Sequence, residues 1–224
     1  LAHGFERTAA YVGAEAFHQV SINHAIAHPP SHWTIDSAAN GFAETCAGFF
    51  RENPEVAELA WLEGAMLDLV GAPDCEPLDA ARFAEASAGF GDAEWMELTL
   101  TMMPRAAALI VGHDLERLWR SIDGGGEIDL APARLGCIAW REGDRPTFVM
   151  VEEQCALAFA AMGQGASYGD LVVQIAGEGA DEAALGEAAM RAGSFLGQWL
   201  QHALVSAIGR EASPGNGDGQ EPND

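Results

Sequence analysis

The apolar positions of the chain change period near its middle. Before residue 90 they recur every three or four residues, the spacing of one helical face. Leu1, Phe5, Ala9 and Val12 share such a face up to Gly13, and Phe17, Val20, His24 and Ala27 form a second stripe that Pro29-Pro30 ends. "SHWTIDS" reads as a loop and "GFAETCAGFFREN" as a short helix burying Phe42, Cys46, Phe49 and Phe50. Asn53 as a cap, Pro54 at the first helical position, and Glu55 and Glu58 near the positive end of the dipole predict a longer helix. Its inward residues are Val56, Leu59, Ala60, Met66, Leu69 and Val70, and "GAP" at 71–73 stops it. A shorter helix is predicted around Ala80 to Ala86.

After "GFGDAEW" the pattern alternates. Leu98, Leu100 and Met102 fall on one side of "MELTLTMM" and Glu97, Thr99 and Thr101 on the other, which predicts a strand; "AAALIV" is a second apolar run. "HDLERLWRSI" reads as a short helix and "DGGGEIDLAP" as a flexible connector. "LGCIAW" and "TFVMV" then predict a hairpin with "REGDRP" as its loop, Pro146 being tolerable at a strand start. Three helices follow: "EEQCALAFAAM", "SYGDLVVQIA", and a long one from about Glu182 to Ile208 with Leu185, Ala188, Ala192, Phe195, Trp199, Ala203 and Leu204 on its stripe. From Arg210 onward nothing is worth burying, and a disordered tail is expected over 210–224. The expected fold is therefore α+β and mainly α. A helical module over 1–91 precedes a small antiparallel sheet with three helices over 92–209.

Composition sharpens this in two respects. Hydrophobic residues make up 49% of the 224, enough for a buried core. Acidic residues outnumber basic ones 34 to 11, giving a formal net charge of -23. Every basic residue is an arginine and none clusters with another, so the phosphate neutralisation that drives nucleic-acid binding is disfavoured. No apolar run approaches the roughly 18 residues that cross a bilayer, and no cleavable signal is visible, so no membrane partner is expected. The chain starts at Leu1 inside what reads as a helix, so residues upstream are expected and a targeting segment among them stays open. Cys46, Cys75, Cys137 and Cys155 form no CxxC pair and sit among apolar neighbours, as buried reduced thiols of a cytoplasmic protein would.

Candidate chemistry is sparse. His18, His24, His28 and His32 are spaced 6, 4 and 4 apart, but Pro29 ends the helix that His24 and His28 share and no carboxylate completes a ligand motif. Gly124-Gly125-Gly126 lacks the lysine and hydroxyl of a phosphate loop and reads as a hinge. Nothing resembles a nucleophile elbow. The residues thus point to no catalytic group, no metal site and no cofactor.

Several stretches in order do resemble a family. "YVGAEAFHQVSINHAIAHPPSHW", "GFAETCAGFFRENPEVAELAWLEGAMLDLVGAPDCEPLD", "LTLTMMPRAAALIVGHDLERLW" and "IAWREGDRPTFVMVEEQCALAFAAMGQGASYGDLV" are together similar to the HvfC/BufC family and to methanobactin partner proteins of the MbnC kind. The resemblance spans roughly residues 1 to 209, although most of the family's first helix is absent. It implies a non-catalytic subunit that forms a heterodimer with a multinuclear non-haem iron oxidative enzyme. That enzyme modifies cysteines in a ribosomally made precursor peptide, often for copper handling, and any iron belongs to it. The subunit helps present the precursor's leader, with His28, Pro29 and Trp33 as the expected contacts with the enzyme.

The second module also resembles the winged-helix peptide-recognition element typified by PqqD, in which a leader adds as a strand to a sheet edge and packs on the last helix. Thr147, Val149 and Val151 alternate with Phe148 and Met150, so one set is expected to pack on the helices and the other to line a groove completed by Phe195 and Trp199. Val149→Pro is expected to remove one donor from that edge. Winged helices also bind DNA, and the family's N-terminal part carries a DNA-binding label. Against that, the last two helices and their connector offer only Arg191 beside Asp170, Glu178, Asp181, Glu182 and Glu187. A peptide-presenting subunit is favoured over two alternatives, a DNA-binding regulator and a catalytic or metal-carrying protein.

Overall fold

A computed structural model of the chain describes residues 1–29, 39–128 and 130–210. The fold is α+β and mainly α, with ten helices and two small antiparallel sheets among these residues. The helices are α1 (Glu6–Val12), α2 (Ala14–Ala27), α3 (Phe42–Phe49), α4 (Pro54–Val70), α5 (Ala80–Ser87), α6 (Asp92–Met96), α7 (Leu115–Gly124), α8 (Glu153–Gly163), α9 (Tyr168–Ala176) and α10 (Glu182–Gln201). The strands are β1 (Leu98–Met102), β2 (Ala107–His113), β3 (Pro132–Glu142), β4 (Arg145–Glu152) and β5 (Val205–Arg210). One sheet has the order β2-β3-β4, and the other pairs β1 with β5.

The three-stranded sheet is the middle layer. From Gly136 to Trp140 the backbone of β3 is buried on both faces, which is why "LGCIAW" reads as an unbroken apolar run rather than an alternation. Ile138 and Trp140 point into a core shared with β1, β5, α8, α9 and α10, while Cys137 and Ala139 point into one shared with α4 and α7. A third core, around Phe5, Phe17, Phe42 and Val56, joins α1 to α4. Helix α8 reaches β3 closely because position 136 is glycine: a Cβ there would lie 2.2 Å from that of Ala156.

Several expectations change on this structure. The division near Phe90–Gly91 is crossed by two cores, since α4 supplies Leu59, Leu62 and Leu69 to the sheet's inner face, and Leu78, just before α5, and Phe83 within it join the C-terminal core. The last helix ends at Gln201, not Ile208. Ala203 adopts a left-handed φ of 54°, Leu204 N–H bonds back to Trp199 C=O and Ala203 N–H to Leu200 C=O, the closure that terminates a helix. Val205 to Arg210 then pair with β1. Finally, Val70 is 66% exposed: one residue on from buried Leu69, it points about 100° further round α4 and away from the core. Asn53 stands at the cap position of α4, but its side-chain amide donates to Glu55 instead of accepting from the helix. The tail expected over 210–224 lies, beyond Arg210, outside the described residues.

Candidate functional site: the outer edge of β4

Strands β3 and β4 are joined by a two-residue turn, Gly143-Asp144, with Glu142 opposite Arg145. Gly143 has a φ of 58° and Asp144 does not share it, the pattern of a type II′ turn that suits strand twist. The turn is tighter than the six-residue loop expected, because Arg141, Glu142, Arg145 and Pro146 all belong to the ladder.

Register settles which backbone groups of β4 face outward. In a two-residue hairpin the flanking pair exchanges hydrogen bonds, and such pairs then alternate along the ladder. Glu142–Arg145, Trp140–Thr147, Ile138–Val149 and Gly136–Val151 are therefore the bonded pairs. Arg141–Pro146, Ala139–Phe148 and Cys137–Met150 are not, which agrees with the missing N–H of Pro146. The outer edge thus presents the N–H and C=O of Phe148 and Met150 and the C=O of Pro146. Among the described residues no other strand pairs with this edge, and residues 146 to 150 are half-buried only. Val149 is one residue out of phase: its N–H points at Ile138, so Val149→Pro would break the internal ladder and leave the edge donors in place.

The side chains of β4 do not line a groove. Val149 and Val151 pack into the C-terminal core, while Phe148 and Met150 pack against the α4–α7 core, with the Phe148 ring 5.3 Å from that of Trp119. Thr147, half-buried, stands opposite Trp140 at the start of the strand. Both faces are covered because the sheet is a middle layer. Phe195 is 0% exposed and Trp199 1%, and Trp199 packs edge-on to Phe159 at 5.8 Å. These two rings are core, and truncating either would cost about 3–5 kcal/mol of stability.

Two of the other sheet edges are less open. On β2, Glu58 accepts from the outward N–H of Gly112 at 2.7 Å and pairs with the His113 ring at 3.0 Å, placing a carboxylate on that edge. On β5, the C=O of Val205 accepts from Leu78 N–H. Three arginines near β4 are paired: Arg141 with Asp74, Arg134 with Glu153, and Arg191 with Glu152.

The remaining sequence candidates lie at the far end of α2. His28 and Pro29 are exposed, and Trp33 and His32 lie outside the described residues. His24 is buried and its ring stacks on that of His28 at 4.7 Å. Thr45 donates to the C=O of Gly41, so its hydroxyl oxygen receives Nδ1–H of His24 at 2.8 Å. Beside them Ile22 and Ile26 stand exposed, one turn apart. Among the described residues no three His, Cys, Asp or Glu side chains gather as metal ligands would. Burial pushes the thiols of Cys46 and Cys137 up to about 12 and that of Cys155 up to about 11. Cys75 departs from expectation: it is exposed, in the loop after α4.

The sequence reading missed Glu58 as the guard of β2 and Trp119 as the support of Phe148. The first has no local signal, since residues 58 and 112 meet only in the fold. The second could have been found from the amphipathic stripe of "LERLW". No helix among the described residues is long and apolar enough to cross a membrane. No protein-family model matches the chain, and neither does any curated protein.

Proposed function

We propose that this chain is a non-catalytic cytoplasmic subunit that binds a multinuclear non-haem iron oxidative enzyme and presents to it the leader of a ribosomally made precursor peptide. The supporting observation is the outer edge of β4, where two N–H and three C=O groups stand ready to pair with an extended backbone. Strand addition draws affinity from the main chain, so it needs no charged groove. The net charge of -23 favours a cationic leader over nucleic acid. Iron belongs to the enzyme, and the exposed end of α2 at His28 and Pro29 is the proposed enzyme contact.

The test is co-expression with a multinuclear non-haem iron enzyme and a cysteine-bearing precursor taken from the chain's own gene neighbourhood. The enzyme is expected to co-purify as a one-to-one complex. Met150→Pro, which removes an outward N–H, is expected to weaken precursor binding while the complex persists. Failure to associate with enzyme and precursor, together with sub-micromolar, salt-sensitive DNA binding in a gel-shift titration, would favour a DNA-binding regulator instead.

A further inference from the structure

Resting on strand addition at β4, we propose that a cavity beside the start of that strand is an anchor pocket for one large apolar side chain of the bound peptide. The cavity holds about 300 Å³; Pro146, Trp119, Met66, Leu67 and Val70 form its apolar side, and residues 3, 4, 6 and 7 with Glu63 form the rest. Three observations point to its occupant.

The pocket is continuous with the edge, since Pro146 both opens the outward array of β4 and forms one wall. It also lies on the matching face. Pro146, Phe148 and Met150 share the face toward α4 and α7, and Phe148 packs on Trp119. A strand laid about 4.8 Å beyond β4 alternates its own side chains between the same two faces. One side chain in two would therefore turn toward this pocket.

Two of the charges in the wall, Arg7 and Glu63, are already engaged, while Glu6 and His3 stand exposed in it. The Arg7 guanidinium lies 3.7 Å over the Trp119 ring and donates to Asp123, and the Glu63 carboxylate accepts from Arg7 N–H, Thr8 N–H and the Thr8 hydroxyl. The apolar part of the wall is open: Leu67 is 39% exposed and Val70 66%. A leucine, isoleucine, methionine or phenylalanine fits the apolar side of that lining, and the Glu6 carboxylate disfavours an acidic side chain.

The test pans a phage-displayed library of random 12-residue peptides on the full chain and measures fluorescein-labelled selected peptides by anisotropy. The selected peptides are expected to share one large apolar position. Val70→Glu, at a largely exposed site, is expected to lower their affinity at least about tenfold with an unchanged circular dichroism spectrum. Replacing the apolar peptide residue by serine is expected to cost the same, and combining the two changes to cost little more. Leu67→Gln serves as a second variant of the same wall. If peptides bind and lose affinity on Met150→Pro but ignore Val70→Glu and Leu67→Gln, strand addition stands and the anchor falls. If no peptide binds the wild-type chain, both fall. A concentration-dependent dimer in size-exclusion chromatography, abolished by Val70→Glu, would overturn the anchor by assigning the pocket to a second copy.

Discussion

A Cβ on Gly136 would stand 2.2 Å from the Cβ of Ala156 and 3.1 Å from Val151 Cγ2, so α8 lies on β3 only because position 136 has no side chain. Both neighbours are short and buried and neither can swing away. Gly136→Ala is expected to lower stability by about 1–3 kcal/mol, as overpacking does, read as a lower urea midpoint at unchanged m-value. A neutral or stabilising result would mean that α8 rides further from the sheet.

The second prediction concerns Glu63, 4% exposed on α4, which caps the N-terminus of α1 through Arg7 and Thr8. Desolvation is the largest influence on its carboxyl and raises it above the usual glutamate range, while the bonds from Thr8 and Arg7 pull the other way. An acid whose folded value is raised holds its proton more tightly when folded. Its contribution to stability therefore falls as pH rises from the unfolded value, about 4.3, through the folded one. The difference in unfolding free energy, wild type minus Glu63→Gln, is expected to grow as pH is lowered from 7 toward 5. A difference that shrinks would show that the three donors outweigh burial.

Thiol chemistry gives a third prediction. Cys46, Cys137 and Cys155 are buried with thiols at about 11 to 12, and Cys75 is exposed. Reactivity follows the thiolate and its access. Iodoacetamide at pH 8 should label one cysteine per native chain, found at Cys75 by peptide mapping, and all four in guanidinium chloride. Fast labelling at Cys155 would reveal local opening of α8 from α10.

Most helices and the hairpin were legible because each rests on a local signal: the stripe of α4, the stripe of α10 up to Trp199, the two apolar runs around Gly143. What escaped depended on pairing at a distance. Leu204, Val205 and Ile208 continue the α10 stripe by spacing, and only the left-handed turn at Ala203 and the partner strand at 98–102 make 205–210 a strand. Phe195 and Trp199 were misplaced for a related reason. Alternation tells which residues of β4 share a face, but not that α4 and α7 cover the second face. What was legible was that β4 lies at the edge of its sheet, with Pro146 near its start; which of its N–H groups face outward was not.

The last prediction tests that edge without any ligand. Prolines walked along β4 should read out the direction of each N–H. Val149 and Thr147 bond inward to Ile138 and Trp140, so proline at either removes a ladder bond and forces its ring against β3. The cost should be about 3 kcal/mol or more. Met150 is out of phase, and proline there faces its missing donor to solvent, where edge strands tolerate it. Met150→Pro still loses the side chain that packs toward α4 and α7, so Met150→Ala is the proper reference. Relative to alanine, proline at 150 is expected to change the urea unfolding free energy by less than about 1 kcal/mol, whereas Val149→Pro relative to Val149→Ala should lose several times that. Equal losses at 149 and 150 would mean that both sides of β4 are bonded, and the edge would then have no free donors for a peptide. A reversed order, with 150 the costly site, would shift the hairpin register by one residue and move the outward groups to Thr147, Val149 and Val151.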